Sequence, residues 1–244
     1  MREAGRIVAR AHAALREMMQ PGVTTAQLNE KAEQIIRSHG AIPAFLGYPH
    51  TGKNDFPASI CTSINEEIVH GIPSRKRWLE PGDVVSIDVG AVYRGWVGDS
   101  AWTYAVGQVD DEGRRLMEAT EGSLWAGIRQ ARVGNRLADI SEAIEKFVVQ
   151  RGFAVVREYT GHGVGRKMHE EPQVLNYVPP KGGRGPRIQA GMTFALEPMV
   201  NVGTWRTRVL GDGWTVVTLD GKRSGHFEHT IAVTDGEPEL LTIL

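Results

Sequence analysis

The sequence of 244 residues contains a single cysteine, Cys61, so the chain cannot form an internal disulfide. This excludes a disulfide-stabilised scaffold and suits a reducing compartment. The sequence also lacks an apolar run near the roughly 18 residues of a membrane-spanning helix, and its first residues lack the apolar core of a signal peptide. We therefore expect a cytoplasmic protein that does not enter the membrane.

An excess of charge of either sign is equally absent, because 28 Lys and Arg residues oppose 29 Asp and Glu residues and leave a net charge of −1. Without a basic field, neither nucleic acid nor an anionic membrane surface is an expected partner. Apolar residues make up 41% of the chain and charged residues 23%, which is typical of a globular protein. A chain of this length can bury a full core, and we expect a single domain over residues 1–244.

The spacing of apolar residues predicts four helices, over residues 3–19, 24–40, 111–131 and 136–151. Thr24 and Gln27 form the pattern of a capping box at the start of the second helix. Apolar and alternating runs predict strands over residues 83–106 and near residues 153–160, 192–197, 214–219 and 226–233. Residues 41–60, rich in proline, glycine and aromatic residues, are predicted to form a shaped loop.

Two segments of the chain recur in the same order and with the same spacing, residues 22–40 as 134–152 and residues 81–88 as 190–197. Each half then consists of helices followed by a hairpin, and an acidic residue, Asp88 or Glu197, occupies the same place in each hairpin. Chance glycine matches are the alternative interpretation. The agreement of two segments favours a duplicated chain with pseudo-repeats of approximately 1–106 and 107–244. Two halves that face each other would enclose a cleft, where binding sites usually lie.

Asp88 and Asp99 belong to the first predicted hairpin. If its turn centres between Tyr93 and Arg94, the two residues are directly opposed, with Cβ atoms about 4.5–5.5 Å apart. Two carboxylates at that distance repel each other unless one is protonated or a cation lies between them. A turn position for Asp99 is the alternative interpretation. Because strand interiors disfavour aspartate, the opposed pair indicates a cation site.

Glu197 and Glu228 follow or lie within apolar, strand-like runs, where an unpaired carboxylate is costly. His162 stands between glycines that allow a close approach of the backbone, although a lone histidine is more often a structural hydrogen-bonding group. Four carboxylates and one imidazole suit hard to borderline divalent ions such as Mn, Fe, Co or Zn. Their charge is about what two such ions neutralise, which predicts a two-metal site.

Several segments of the chain resemble the type I methionine aminopeptidases, and the resemblance extends over essentially all residues. The segments are 63–73, 85–90, 98–99, 161–165, 169–174, 194–198 and 227–230. The Gly-His-Gly-x-Gly segment alone is a weak signal, whereas the ordered series Asp, Asp, His, Glu, Glu with these flanks is specific. The resemblance implies the pita-bread fold, an α+β architecture with pseudo-twofold symmetry, an antiparallel β-sheet core and helices packed on its outer face.

The same resemblance implies the activity. The chain would remove the N-terminal, initiator methionine from nascent proteins and peptides whose second residue is small, by attack of a metal-activated water on the first peptide bond. Two divalent ions (Co, Mn, Fe or Zn) would be required. Nascent polypeptide N-termini would be the substrates and the ribosome a partner, although the sequence contains no evident docking motif or nucleic-acid motif. A monomer is expected.

The resemblance also assigns the five candidate metal ligands. Asp88 would bind one ion, and His162 and Glu197 would bind the other. Asp99 and Glu228 would bridge both ions. Glu197 would in addition carry a proton away from the attacking water.

Two further histidines and four apolar residues match positions that contact the substrate in the family. His70 would form a hydrogen bond with the scissile amide or the leaving group. His169 would polarise the scissile carbonyl and stabilise the tetrahedral intermediate. Sulfur and aromatic surfaces complement a thioether, and the pocket for the methionine side chain would consist of Phe56, Cys61, Met168 and Trp214.

The chain departs from the family pattern around this pocket. Residues 49–55 resemble a small insertion, Phe56 stands where tyrosine is common, and Met168 stands where phenylalanine is common. The chain also begins near the middle of the family's usual first helix. The shape of the methionine pocket is therefore the feature that the resemblance determines least.

Three alternatives are open. An Xaa-Pro dipeptidase or aminopeptidase would share the fold and the ligands, but these enzymes usually carry a large N-terminal domain. A binding protein of the same fold without catalysis is disfavoured because all the ligand types are present. A two-metal phosphoesterase, considered from the ligands alone, would need a basic cluster to hold phosphate, and none is evident near them.

Overall fold

The computed structural model describes residues 1–50, 54–181 and 183–244, which form four helices and fifteen strands. The helices are α1 (Arg2–Glu17), α2 (Thr25–Ser38), α3 (Asp111–Ile128) and α4 (Leu137–Val149). The strands are β1 (Ile42–Pro43), β2 (Ile60–Ile64), β3 (Glu67–Val69), β4 (Val84–Tyr93), β5 (Trp96–Ala105), β6 (Ala154–Val155), β7 (Gly161–Gly163), β8 (Glu170–Val174), β9 (Thr193–Leu196), β10 (Met199–Asn201), β11 (Thr207–Val209), β12 (Val216–Thr218), β13 (Ser224–His226), β14 (His229–Ala232) and β15 (Glu239–Leu240). Within the described ranges, no helix has the length and apolar character needed to cross a membrane.

The four helices agree with the sequence prediction to within three residues at each end. The capping box of α2 is confirmed, because the Gln27 N–H donates to the Thr24 hydroxyl at 3.2 Å and the Thr24 N–H donates to Gln27 Oε1 at 2.8 Å. The strand prediction was less complete. It missed β1, β2, β3, β7, β8, β10, β11 and β15, which are at most five residues long and therefore too short for a recognisable alternation.

The strands form antiparallel sheets, two of which carry the fold. The first is ordered β1-β4-β2, with β5 also paired to β4, and the second is ordered β15-β14-β9-β7-β8. Helices α1 and α2 pack against the first sheet and bury Leu15, Leu28 and Ile36 beside Ile87. Helices α3 and α4 pack against the second sheet in a separate core around Phe194. The predicted α+β fold with an antiparallel core is therefore confirmed.

The two halves repeat backbone contacts as well as sequence. The Gly22 N–H donates to the Leu79 carbonyl at 2.9 Å, and the Gly134 N–H donates to the Ile188 carbonyl at 3.5 Å. Both glycines have a positive φ, of 88° and 96°, a conformation that glycine adopts without steric cost. These contacts agree with a duplicated chain, and the proposed boundaries of the repeats, 1–106 and 107–244, stay a prediction.

The turn between β4 and β5 determines how the first hairpin pairs. Arg94 and Gly95 both have a positive φ, of 51° and 74°, which is the conformation of a two-residue type I′ turn. Tyr93 therefore pairs with Trp96. The turn centres between Arg94 and Gly95, one residue later than the sequence analysis placed it.

This shift corrects the predicted pairing of the two aspartates. Gly90 lies opposite Asp99, and Asp88 lies opposite Ala101. The prediction that Asp88 and Asp99 are directly opposed is therefore wrong. They are diagonal neighbours on the same face of the hairpin, still within reach of each other's side chains.

Side chains and backbone of the two halves join along β5. The Thr230 hydroxyl accepts from the Asp99 N–H at 3.0 Å and donates to the Asp99 carbonyl at 2.7 Å. The Ser100 hydroxyl donates to the Glu228 carbonyl at 2.7 Å, and the Glu228 N–H donates to the Ala101 carbonyl at 2.7 Å. Glu228 was predicted to lie inside a continuous strand, and this is wrong. It lies in a break between β13 and β14, because its N–H donates to a carbonyl of β5.

His12 is a buried histidine on the inner face of α1. Its Nδ1 lies 3.0 Å from the Tyr104 hydroxyl and its Nε2 lies 2.9 Å from the Ser100 carbonyl oxygen. Burial lowers the pKa of His12 to about 4. The folded protein therefore resists protonation at a position where the unfolded chain accepts a proton.

The free energy of unfolding is expected to fall as the pH decreases from 6.5 towards 4, since the lowered pKa of His12 makes the unfolded chain bind the extra proton. One such residue contributes about 1.4 kcal/mol per pH unit over that range. Urea unfolding of the wild type and of His12→Gln at several pH values measures the two slopes. The slope for the variant should be smaller by an amount equivalent to at most one bound proton. Equal slopes would contradict the lowered pKa of His12.

Candidate functional site

Residues from both halves of the fold line a cavity of about 140 Å³. All eleven site residues predicted from the sequence line it: His70, Asp88, Asp99, His162, Glu197, Glu228, His169, Phe56, Cys61, Met168 and Trp214. Phe45 and Tyr48 complete the lining. A larger groove of about 940 Å³ between α1 and α3 contains none of the predicted residues.

Close backbone packing positions His162 on β7. A Cβ atom at Gly161 would lie 2.5 Å from the Ala195 carbonyl oxygen, and one at Gly163 would lie 2.4 Å from the Glu171 carbonyl oxygen. The two neighbouring strands therefore require glycine on both sides of the histidine. The His162 Nδ1–H donates to the Gly163 carbonyl at 2.9 Å, which leaves Nε2 directed at the carboxylates, 3.3 Å from Glu197 Oε1 and 3.9 Å from Asp99 Oδ2.

Three carboxylates in the cavity have a buried oxygen without a hydrogen-bond partner among the described residues. They belong to Asp88, Asp99 and Glu228. Burial raises the pKa of Asp88 and of Glu228 well above the usual range, and the neighbouring carboxylates add to the effect. Burial also raises the pKa of Asp99, to about 7. Buried carboxylates that lack donors and face one another are stable as anions only beside a cation.

Glu197 follows the end of β9 and differs from the other three. Burial alone would raise its pKa, but the imidazoles of His162 and His226, at 3.3 Å and 3.6 Å, outweigh burial and lower the pKa to about 2. Burial would likewise lower the pKa of His162, but Glu197 and Asp99 outweigh it and raise the pKa to about 9. Without a metal ion, the protonated imidazole of His162 therefore compensates part of the negative charge of the carboxylates.

The arrangement fits a divalent metal ion. The ligand atoms of Asp99, His162 and Glu228 all lie within 4.8 Å of one another. Of the four carboxylates that line the cavity, all except Glu197 have a buried oxygen without a donor among the described residues. Carboxylate oxygens with one imidazole nitrogen form the donor set of hard to borderline divalent ions. The hydrogen bond from Nδ1 to Gly163 also leaves Nε2 as the nitrogen available to a metal.

His70 also lines the cavity and has a strained backbone conformation, with φ of 59°. A non-glycine residue in this region often marks a functional site. Burial lowers the pKa of His70 to about 4, and its ring lies against Trp214, with centroids 6.1 Å apart. Burial also lowers the pKa of His169. Both histidines can therefore act as neutral hydrogen-bond donors at neutral pH.

The apolar part of the cavity is built around Trp214. Its ring meets that of Phe56 edge to face, with centroids 5.2 Å apart, and its Nε1–H donates to the Asn54 carbonyl at 2.9 Å. The His50 ring packs on it from the insertion predicted over residues 49–55, with centroids 4.8 Å apart. Residues 51–53 of that insertion lie outside the described residues. Cys61 is buried here, which raises the pKa of its thiol well above the usual range.

Sequence reasoning missed three residues of the site. Phe45 and Tyr48 line the cavity from the loop 41–60, whose aromatic content was the available signal. The Tyr48 hydroxyl lies 2.6 Å from His169 Nδ1. His226, buried at the end of β13, approaches Glu197, and no sequence signal distinguished it from a structural histidine.

Comparison with known proteins identifies close relatives. A family model described as metallopeptidase family M24 matches residues 1–235. Methionine aminopeptidase 1 of Bacillus subtilis is 52% identical over 242 residues, which are 99% of this chain and 94% of the relative. The crystal structure of a methionine aminopeptidase from Thermotoga maritima is 43% identical, with a TM-score of 0.95, and the match covers 100% of this chain and 95% of that one.

A prolidase from Pyrococcus horikoshii shares the fold at a greater distance. It is 22% identical with a TM-score of 0.77, and the match covers 99% of this chain and 60% of that one. At this identity the similarity shows the fold alone.

Proposed function

The chain belongs to the methionine aminopeptidases of metallopeptidase family M24, and from this we propose that it removes the N-terminal methionine of polypeptides whose second residue is small. The observation that carries the proposal is that one cavity combines a group of buried carboxylates with an apolar pocket. Donor-free buried carboxylates of Asp88, Asp99 and Glu228 lie beside an apolar pocket.

Five residues would hold two divalent ions. Asp88 would bind one ion, His162 and Glu197 the other, and Asp99 and Glu228 both. When bound, the ions supply a water nucleophile activated at neutral pH and a Lewis acid for the scissile carbonyl. The donor set admits Co, Mn, Fe or Zn.

Three polar side chains of the chain would handle the substrate and its protons. Glu197 accepts a proton from the attacking water and passes it towards the leaving amine. His169 donates a hydrogen bond to the scissile carbonyl oxygen, which gains negative charge as the tetrahedral intermediate forms. His70 forms a hydrogen bond with the scissile amide or the leaving group, and its lowered pKa keeps its ring neutral for this task.

The pocket of Phe56, Cys61, Met168 and Trp214 would take the methionine side chain. An engineered cavity of about 150 Å³ holds one benzene molecule. The whole cavity here, including the space beside the carboxylates, has a volume of about 140 Å³, so it can take only one side chain of modest size. The thioether would lie against aromatic rings and sulfur, with which it makes favourable contacts.

A series of peptides tests this specificity with Mn or Co present. Met-Ala-Ser is expected to be cleaved fastest, with norleucine next best as the first residue, because norleucine keeps the unbranched shape and has a methylene where methionine has sulfur. A side chain one methylene shorter or longer should lose about 1–3 kcal/mol. Charged or β-branched first residues should fail by more, through desolvation and restricted χ1. Met-Lys-Ser and Met-Phe-Ser should be poor substrates, because a large second residue crowds the scissile carbonyl.

Two results would contradict the proposed specificity. Equal rates for Met-Phe-Ser and Met-Ala-Ser, or for leucine and methionine as first residue, would indicate a general aminopeptidase. Faster cleavage of Ala-Pro than of Met-Ala-Ser would favour an Xaa-Pro peptidase. For a general aminopeptidase, Phe56 and Met168, which differ from the residues common in the family, would be the first positions to examine.

The proposed substrate also indicates where the chain works. Initiator methionines arise where polypeptides are synthesised, so we place the activity in the cytoplasm, on nascent chains at the ribosome. All the candidate metal ligands and substrate-contacting residues belong to one chain, so the proposed chemistry needs no residue from a second copy, and we propose an active monomer.

A further inference from the structure

Tyr48 makes a direct contact with one of the two histidines assigned to the substrate. Its hydroxyl oxygen lies 2.6 Å from His169 Nδ1. The two rings also meet edge to face, with centroids 5.6 Å apart and planes at 75°. Among the described residues, Tyr48 is the hydrogen-bond partner of the His169 ring.

The backbone of the loop holds Tyr48 in place. Its N–H donates to the Phe45 carbonyl at 2.8 Å, and its carbonyl accepts from the Phe56 N–H at 2.9 Å. The Gly47 N–H donates to the Phe56 carbonyl at 2.9 Å. Phe45 and Phe56 both line the cavity, so Tyr48 is anchored to the wall of the pocket from both sides.

We propose that Tyr48 is a positioning residue that sets the tautomer and the ring orientation of His169. A phenol is a stronger acid than neutral imidazole, and an imidazole nitrogen is a stronger acceptor than a phenol oxygen. The Tyr48 hydroxyl therefore donates to Nδ1, and the ring proton of His169 resides on Nε2.

The tautomer of His169 determines which ring nitrogen can donate a hydrogen bond to the substrate. The proposal rests on the proposed function, in which His169 donates to the scissile carbonyl oxygen. Only the protonated nitrogen can donate, and Nδ1 is occupied by Tyr48. With Tyr48 in place, every His169 ring presents its N–H on the nitrogen that is free for the substrate, whereas without it part of the population presents a lone pair.

The tautomer can be measured without any substrate. In ¹⁵N-labelled, metal-free protein, protonated and unprotonated ring nitrogens have well-separated chemical shifts, and the signals lost in His169→Asn identify this residue. We expect the wild type to carry the proton on Nε2 and Tyr48→Phe to show a mixture of tautomers. A proton on Nδ1 in the wild type, or an unchanged tautomer in the variant, would overturn the proposal.

Kinetics provide a second readout. Loss of the partner that orients a metal-ligating histidine costs about 10–100-fold. By analogy, we expect Tyr48→Phe to lower kcat for Met-Ala-Ser roughly 10-fold with little change in KM. In a His169→Ala background the same substitution should have almost no effect, because Tyr48 acts through His169. Tyr177→Phe is the matched control, since its ring packs beside Arg157 outside the cavity.

An unchanged kcat, an equal effect in both backgrounds or a change confined to KM would overturn the role of Tyr48. If the wild type cleaves no methionine peptide, the proposed function fails instead. The tautomer measurement then still decides whether Tyr48 positions His169.

Discussion

Replacing Asp99 with alanine is expected to reduce cleavage of Met-Ala-Ser to the uncatalysed background and to leave the protein without its divalent ions. Asp99 is only 4% exposed, and one of its oxygens has no donor within the described structure. Its ligand atom lies within 4.8 Å of those of His162 and Glu228. In the proposed site Asp99 and Glu228 would each serve both ions, and no neighbour could replace either of them, so Glu228→Ala should behave in the same way.

Metal content, measured by atomic emission on protein purified with Mn or Co, is compared with the rate of peptide cleavage. Asp111→Ala is the matched control, because that carboxylate is 92% exposed on α3. A variant of Asp99 that retains two ions and turns over at nearly the wild-type rate would refute the assignment.

The stability of the metal-free variant separates loss of metal from loss of fold. The pKa of Asp99 is raised from 3.8 to about 7, so the folded state loses stability as the pH rises between these two values, and the full cost is present above pH 7. At pH 8 the metal-free Asp99→Ala protein should therefore be at least as stable as the metal-free wild type. Inactivity combined with undiminished stability identifies a missing ligand.

The second large effect is expected for His169→Ala, with a decrease in kcat of roughly 10²–10³ and an unchanged metal content. The His169 ring lies beside the cluster, 4.3 Å from the His162 ring between centroids. Its Nδ1 is occupied by Tyr48. Its contribution is therefore expected in the transition state, where the carbonyl oxygen gains charge, and KM should change little.

Steady-state kinetics and metal analysis on the same preparation test this expectation. His39→Ala, an exposed histidine at the end of α2, controls for the loss of an imidazole elsewhere. If His169→Ala loses an ion, His169 is a ligand and the proposed role is wrong.

Much of this site could be predicted from local sequence. His162 stands out because both neighbours must be glycine where strands pack closely, and Asp88 and Glu197 stand out because acidic residues are rare beside buried strands. The helices were predictable because their apolar stripes extend over several turns. Each of these signals depends on residues near one another in the chain.

The features that sequence reasoning missed depend on contacts between distant positions. Tyr48 and His169 are 121 positions apart, and neither flank indicates that they meet. The register of the first hairpin was misjudged by one turn position, since Arg94 adopts a positive φ that its residue type does not suggest. The break at Glu228 arises because its N–H bonds to β5, a partner supplied by the other half of the fold.

The hydrogen bonds that join β5 to Glu228 and Thr230 have a consequence for the unfolded chain. Asp99 and Thr230 are 131 positions apart, so an ion held by Asp99 and Glu228 closes a loop that includes more than half of the protein. Cross-links that close long loops restrict the denatured ensemble most strongly. The divalent ions would thus act as a reversible cross-link between the two halves. Because each half carries only some of the ligands, neither half alone could form a working peptidase.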